Sequence, residues 1–246
     1  MPATDAPYIL GLIPARGGSR GIPRKNLKLL AGKPLVCYAC EAALESHVIS
    51  RTIVSTDCPQ IAQVARAADA EVPFLRPAAL ASDTARSVDV VLHAIDWLAA
   101  HEGAVPEIIV LLQPTAPLRQ GHHIDEAVNL LVASGSDAVV SVATVPAHYH
   151  PLWQLVLRDN TLYTFAGEPP AQLIPRRQDL PATYTRNGAI YAVRSSVLSA
   201  TRSLYGNHCL GYVMPPDVSI NIDTLEDWQL AEATLGRQRQ EKSHAA

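Results

Sequence analysis

The chain has 246 residues, 48% of them hydrophobic and 17% charged, with a formal net charge of −3. That balance excludes a disordered chain and offers no general attraction to nucleic acid or an anionic membrane surface, so any anion binding must be local. No run of the roughly 18 apolar residues needed to cross a membrane occurs, the first residues lack the layout of a signal peptide, and four cysteines in a chain this long are not a disulfide framework. The expected compartment is the cytoplasm.

Taken in chain order, residues 8–13 form an apolar run that reads as a buried strand, and residues 14–27, rich in glycine, proline and basic side chains, read as a loop. Residues 34–46 have helical periodicity, with Pro34 suited to a first turn. Cys37 and Cys40 have the spacing of a redox pair, but they fall on an apolar helix face and read as core packing. Residues 51–55 predict a strand, 59–68 a helix, 71–75 a strand and 88–100 a helix. Residues 107–112 predict a central strand, 122–133 a helix and 137–145 a strand. Alternation of this kind predicts a single α/β domain over residues 1–246: a doubly wound, mainly parallel, Rossmann-like sheet with ligands at the carboxyl ends of its strands.

The rhythm breaks at residues 146–185, where Pro146, Pro151, Pro169, Pro170, Pro175 and Pro181 interrupt any regular element. This segment reads as an inserted, hairpin-like subdomain that serves as an oligomer contact or a lid. Residues 188–194 and 210–214 resume as strands, 225–235 predict a closing helix, and the polar tail from Gly236 is expected to fray.

The loop after the first strand carries Gly17, Gly18 and Gly21 beside Arg16, Arg20, Arg24, Lys25 and Lys28, with no acidic residue between Pro14 and Lys28. Glycines let backbone N–H groups turn toward an anion, and arginine and lysine neutralise phosphate charge. The spacing is neither that of a Walker A loop nor of a dinucleotide fingerprint. By composition alone the loop is either a phosphate cradle or a solvated basic segment.

The segments Ala15-Arg16, Ser19-Arg20-Gly21, Pro23 and Lys25-Asn26 resemble the N-terminal signature of the acylneuraminate cytidylyltransferases, with Arg20 where lysine is usual. Further segments match that family in order. They are Val54-Ser55-Thr56-Asp57, Leu75-Arg76-Pro77 with Leu80-Ala81-Ser82-Asp83-Thr84, Leu111 to Arg119, and Asn187-Gly188-Ala189-Ile190-Tyr191. The resemblance covers roughly residues 8–235 and implies a nucleotidyltransferase that couples CTP to a nine-carbon acidic sugar, releases pyrophosphate, uses Mg²⁺ and acts as a homodimer through the inserted segment.

Residue by residue, the resemblance implies nucleotide contacts for Arg16, Lys25, Asn26, Arg76, Ser87 and Gln113. Taken singly, Ser87 reads as a helix N-cap and Gln113 as a strand-end residue satisfying backbone groups. Arg177, of the pair Arg176–Arg177, is implied to hold the sugar's carboxylate, the alternative being a surface charge cluster with Asp179. The implied catalytic set is Arg16, Lys25, Arg177 and Asp223. Family members place two aspartates one residue apart at the metal site, whereas this chain has Asn221-Ile222-Asp223, so Asp223 supplies charge and Asn221 only a neutral oxygen. Trp153 replaces a basic residue after His150-Pro151-Leu152, which points to a different acid sugar, such as legionaminic or pseudaminic acid, or to a subunit contact. A nucleotide-binding regulator on the same fold is the rival of a different class.

Overall fold

A computed structural model describes residues 7–19 and 21–244; Arg20 therefore lies outside the described residues. Its centre is a six-stranded sheet. The first strands are β1 (Ile9–Pro14), the short hairpin β2 (Leu29–Leu30) and β3 (Lys33–Pro34), and β4 (Arg51–Ser55). They are followed by β5 (Ile108–Leu111), β6 (Ala138–Thr144), the hairpin β7 (Leu155–Arg158) and β8 (Thr161–Thr164), β9 (Tyr184–Arg194) and β10 (Cys209–Val213). The sheet order is β10-β6-β9-β5-β1-β4, with β9 antiparallel to both neighbours and the other pairings parallel.

The helices are α1 (Leu35–Leu44), α2 (Pro59–Ala67), α3 (Ser87–Glu102), α4 (Gly121–Ser134), α5 (Ser195–Thr201) and α6 (Leu225–His244). Successive side chains of a strand point to opposite faces, so Ile9 and Ile13 pack with α1, α2, α4 and α6, while Leu10 and Leu12 pack with α3 and α5. Both faces of the sheet are covered, which is why β1 and β5 read as unbroken apolar runs rather than as alternating ones. The doubly wound, mainly parallel architecture expected from the sequence is the one observed. Cys37 and Cys40 lie buried in the α1 core as free thiols, and burial pushes Cys40 up to about 12.

Three local expectations are corrected. Residues 71–75 are not a strand: they touch the sheet through two isolated parallel bridges, Ile53 to Glu71 and Thr56 to Leu75. Pro73 between them has no N–H to donate, so the ladder cannot continue. The tail beyond Gly236 does not fray but continues α6 to His244. The glycine is flanked by good helix formers, and Arg239 donates from Nη1 to the Ala31 carbonyl at 2.9 Å. Ser87 is the first residue of α3, with Arg86 in the N-cap position and no side-chain cap, so the capping reading of Ser87 does not hold.

The inserted segment contains the β7–β8 hairpin and four single-turn helices on a proline-rich path. Its base is closed by the Val145 amide donating to the Thr183 carbonyl at 2.9 Å, next to the paired residues Thr144 and Tyr184. Leu157 and Phe165 on the hairpin side are exposed.

Candidate active site

The parallel strands β1, β4 and β5 all run out at one edge, and the segments that follow them converge there. The Ala15 amide donates to the Ser55 carbonyl at 2.9 Å and the Gly17 amide to Asp57 Oδ1 at 2.9 Å, which ties the basic loop to the end of β4. The Lys25 amide donates to the Ile22 carbonyl at 3.1 Å and to Ser19 Oγ at 3.2 Å, closing the loop on itself. Asn26 is buried, and its Nδ2 donates to the Arg16 carbonyl at 2.9 Å. Its amide therefore fixes the path of the loop backbone beneath Arg16.

These elements surround a cleft of about 610 Å³ lined by Arg16, Lys25, Asn26, Arg76, Ser87, Gln113, Asn221 and Asp223, together with Ser82, Asp83 and Thr115. The volume is that of small-molecule sites in general. Eight of the nine residues singled out from the sequence thus meet at one place, although they span 208 positions from Arg16 to Asp223. The exception is Arg177, which sits on an exposed turn of the insert and does not line the cleft; its neighbour Arg176 pairs with Asp179 at 2.8 Å. Trp153 is also outside the cleft. It donates from Nε1 to the Ile174 carbonyl at 2.7 Å, bracing the insert.

Arg16 pairs with Asp83 at 2.7 Å across the cleft. Lys25 Nζ donates to the Ile222 carbonyl at 2.6 Å and lies 3.5 Å from Asp223 Oδ1. Arg76 is 6% exposed, its nearest carboxylate, Asp57, is 4.0 Å away, and its Nε and Nη2 have no hydrogen-bond partner. Burial lowers its pKa, with Arg16 nearby acting in the same direction and Asp57 against it. A buried guanidinium with free donors on the wall of a cleft is suited to an anion.

Two glycines are required by close approach. A Cβ on Gly21 would lie 2.4 Å from the Asp223 carbonyl oxygen, so only glycine lets the loop tip rest on the backbone of the Asn221–Asp223 segment. Gly188 has φ +72°, and a Cβ there would meet Gln113 Oε1 at 2.8 Å and Asn221 Oδ1 at 3.1 Å. Asn221 Nδ2 donates to Asp223 Oδ2 at 2.7 Å, while Asn221 Oδ1 is buried without a partner. The two side chains therefore lie side by side on one face, as alternation in an extended segment predicts, with the Asn221 amide nitrogen turned toward the Asp223 carboxylate. Among the described residues no group of three or more His, Cys, Asp or Glu side chains is placed to hold a metal ion.

Arg119 carries no role in the sequence reading beyond its place in the matched segment. Its guanidinium is 3% exposed, and Nη1 donates to the Ala189 carbonyl at 2.7 Å and the Gln113 carbonyl at 3.1 Å. Burial pulls its pKa down to about 10. It clamps the end of β5 to β9 directly behind Gln113. Its only sequence signal is a lone basic residue closing an apolar segment, which surface arginines share.

A parallel α/β sheet that opens at its strand ends into a cation-lined cleft defines a nucleotide-binding α/β protein. The cytidylyltransferase family model matches residues 10–234, and the chain belongs to that family. It is 34% identical over 94% of its length to N-acylneuraminate cytidylyltransferase A of Danio rerio, covering 51% of that protein. It is 35% identical over 92% of its length to the CMP-N,N'-diacetyllegionaminic acid synthase of Legionella pneumophila, covering 96% of that protein. The chain thus spans about half the length of the first relative and nearly all of the second. A structure of CMP:2-keto-3-deoxy-manno-octonic acid synthetase complexed with CTP superposes with a TM-score of 0.69 at 18% identity. That match covers 94% of this chain and 99% of the other, and establishes the shared fold.

Proposed function

We propose that this protein transfers the cytidylyl group of CTP to the anomeric hydroxyl of a nine-carbon acidic 2-keto sugar of the sialic or legionaminic type. The observation that carries the proposal is the cleft at the strand ends, where Arg16, Lys25 and the buried Arg76 line one space with Ser87 and Gln113. Three cations lining one cleft suit a triphosphate rather than a neutral ligand. The relatives named for CMP-sugar synthesis supply the base and the acceptor class.

In the reaction the sugar oxygen forms a bond to the α-phosphorus while the bond from that phosphorus to the β-phosphate oxygen breaks. Pyrophosphate leaves with the electron pair, and the hydroxyl proton passes to solvent. Catalysis of this kind rests on positioning and on neutralising developing charge. Arg16 and Lys25 act on the departing pyrophosphate. Asn26 holds the loop that presents them, and Arg76 meets the phosphate chain from the buried side. Arg16 reaches the nucleotide by exchanging its partner Asp83 for phosphate oxygens.

Mg²⁺ fits the site on the chemistry of its donors. The unpartnered Asn221 Oδ1 and the Asp223 carboxylate are hard oxygens, and Mg²⁺ completes its shell with waters and substrate phosphates. When bound, it would add positive charge at the phosphates and at the attacking oxygen. The proposal includes a homodimer formed through the insert, whose Leu157 and Phe165 are exposed at 63% and 76%. It also includes a cytoplasmic location, in keeping with four free cysteines and with the absence, among the described residues, of any helix long and apolar enough to cross a membrane.

The test is pyrophosphate release from CTP with and without Mg²⁺, across N-acetylneuraminate, legionaminate, pseudaminate and Kdo. Mg²⁺-dependent release with a nine-carbon acid is expected. Tight CTP binding with no release across the panel would support a nucleotide-binding regulator instead.

A further inference from the structure

Asp57 follows the end of β4 and does not itself line the cleft, yet two of the cation-bearing walls of the cleft are attached to it. One wall is the basic loop, whose Gly17 amide donates to Asp57 Oδ1 at 2.9 Å. The other is the segment that carries Arg76. Its amide donates to the Thr56 carbonyl at 2.7 Å, and its Nη2 lies 4.0 Å from the same Asp57 Oδ1. A single carboxylate oxygen thus stands between two segments that approach the cleft from different parts of the chain.

Each attachment has a physical consequence for a cation. Arg16 immediately precedes Gly17, so a loop released at the Gly17 amide carries Arg16 with it. The loop also rests closely on this segment, because a Cβ on Gly17 would lie 3.0 Å from Cys58 Cβ and 3.6 Å from Asp57 Oδ2. Arg76 is buried, and its Nε and Nη2 have no hydrogen-bond partner to fix the guanidinium. Attraction to Asp57 opposes the effect of burial and of Arg16 on its charge, and such attraction is little screened away from solvent. By charge alone a carboxylate beside a phosphate site repels the phosphates. What Asp57 contributes is the placement of the two cations that attract them.

Resting on the function proposed above, we propose that Asp57 is a positioning residue for the nucleotide: it sets the spacing of Arg16 and Arg76 before CTP arrives, the first through the Gly17 amide and the second through its charge. The two actions separate by substitution. Asp57→Asn keeps an oxygen for the Gly17 amide and removes the charge that Arg76 meets, whereas Asp57→Ala removes both.

The experiment measures CTP affinity by calorimetry in the wild type, Asp57→Ala, Asp57→Asn, Arg76→Ala and the double variant Asp57→Asn with Arg76→Ala, each shown to be folded by circular dichroism. Asp57→Ala is expected to weaken CTP binding by about tenfold or more, the range of a hydrogen bond to a charged group. Asp57→Asn is expected to recover part of that loss. In the Arg76→Ala background Asp57→Asn is expected to change the affinity by less than about twofold, because the partner it acts through is gone. KM for the acid sugar is expected to stay within about threefold of wild type in Asp57→Asn, since the sugar does not depend on the phosphate cations. Equal losses from Asp57→Asn with and without Arg76 would mark general destabilisation and overturn the assignment. Tighter CTP binding in Asp57→Ala would make the carboxylate a repelling charge only, and wild-type affinity there would leave it no part in binding; either result overturns the assignment. A wild type that binds CTP but releases no pyrophosphate with any acid sugar overturns the underlying function instead, while the same affinities still decide the role of Asp57.

Discussion

Gly188 concentrates several demands on one backbone position. It takes a positive φ and leaves room for Gln113 and Asn221 to converge from two different segments. Gly188→Ala puts a Cβ into a left-handed conformation, costing about 1–2 kcal/mol, and displaces both amides. Thermal unfolding is expected to fall by about 2–6 °C, with kcat/KM dropping at least tenfold at a temperature where the variant is fully folded. Wild-type turnover in a folded Gly188→Ala protein would show that the convergence has no part in the reaction. The residues facing the cleft were legible in the sequence because an ordered set of segments carried them: Arg16, Lys25, Asn26, Arg76, Ser87, Gln113, Asn221 and Asp223. Arg119, which supports Gln113 from behind the cleft, was not. A buried arginine has the same one-letter signal as a surface arginine, and only burial and partners separate them.

At the scale of elements, α4 begins with a reciprocal cap in which the Gln120 side chain accepts from the His123 amide and the Gln120 amide donates to His123 Nδ1 at 3.1 Å. His123 is 5% exposed, and burial, with His122 adding to it, lowers its pKa to about 4. Glu126 and Asp217 oppose that shift, and Arg119 reinforces it. A histidine with a depressed folded pKa binds fewer protons folded than unfolded. Its contribution is complete above the unfolded pKa of about 6.5 and is lost as pH falls from there toward 4. Relative to His123→Gln, which keeps a side chain able to accept the Gln120 amide, the wild type is expected to lose up to about 3 kcal/mol between pH 7 and pH 4. Urea unfolding at the two pH values checks this, and parallel curves for the two proteins would refute it. Helices of nine residues or more were readable from periodicity, whereas the seven-residue α5 and the bridged segment 71–75 were not. A short element is decided by its neighbours: Glu71 bonds to the edge of β4, the Arg76 amide donates to the Thr56 carbonyl just beyond it, and Pro73 prevents a continuous ladder.

For the whole molecule, the insert is an appendage whose removal leaves the sheet intact. The ladder of β6 and β9 reaches Thr144 and Tyr184, so residues 145–183 can be replaced by an Asn-Gly turn of the kind that joins antiparallel neighbours. The shortened protein is expected to be monomeric by light scattering and to bind CTP within about threefold of the full chain, since the insert does not line the nucleotide cleft. A dimer that survives this deletion would place the subunit contact elsewhere.

What the sequence determined by itself was the layered α/β plan, the basic glycine loop at the end of β1, and the identity of most residues that face the cleft. Each of these depends on short-range pattern: a buried strand must be apolar on both faces, and a phosphate loop needs glycine and cations close together. The tertiary structure alone decided which charges are compensated. Arg76 is left with donors that have no hydrogen-bond partner, Arg16 and Lys25 are paired with Asp83 and Asp223, and Arg177 stands apart from the cleft. Charge compensation is set by distances between segments far apart in the chain, and Coulomb attraction and desolvation depend on those distances and on burial, not on sequence separation.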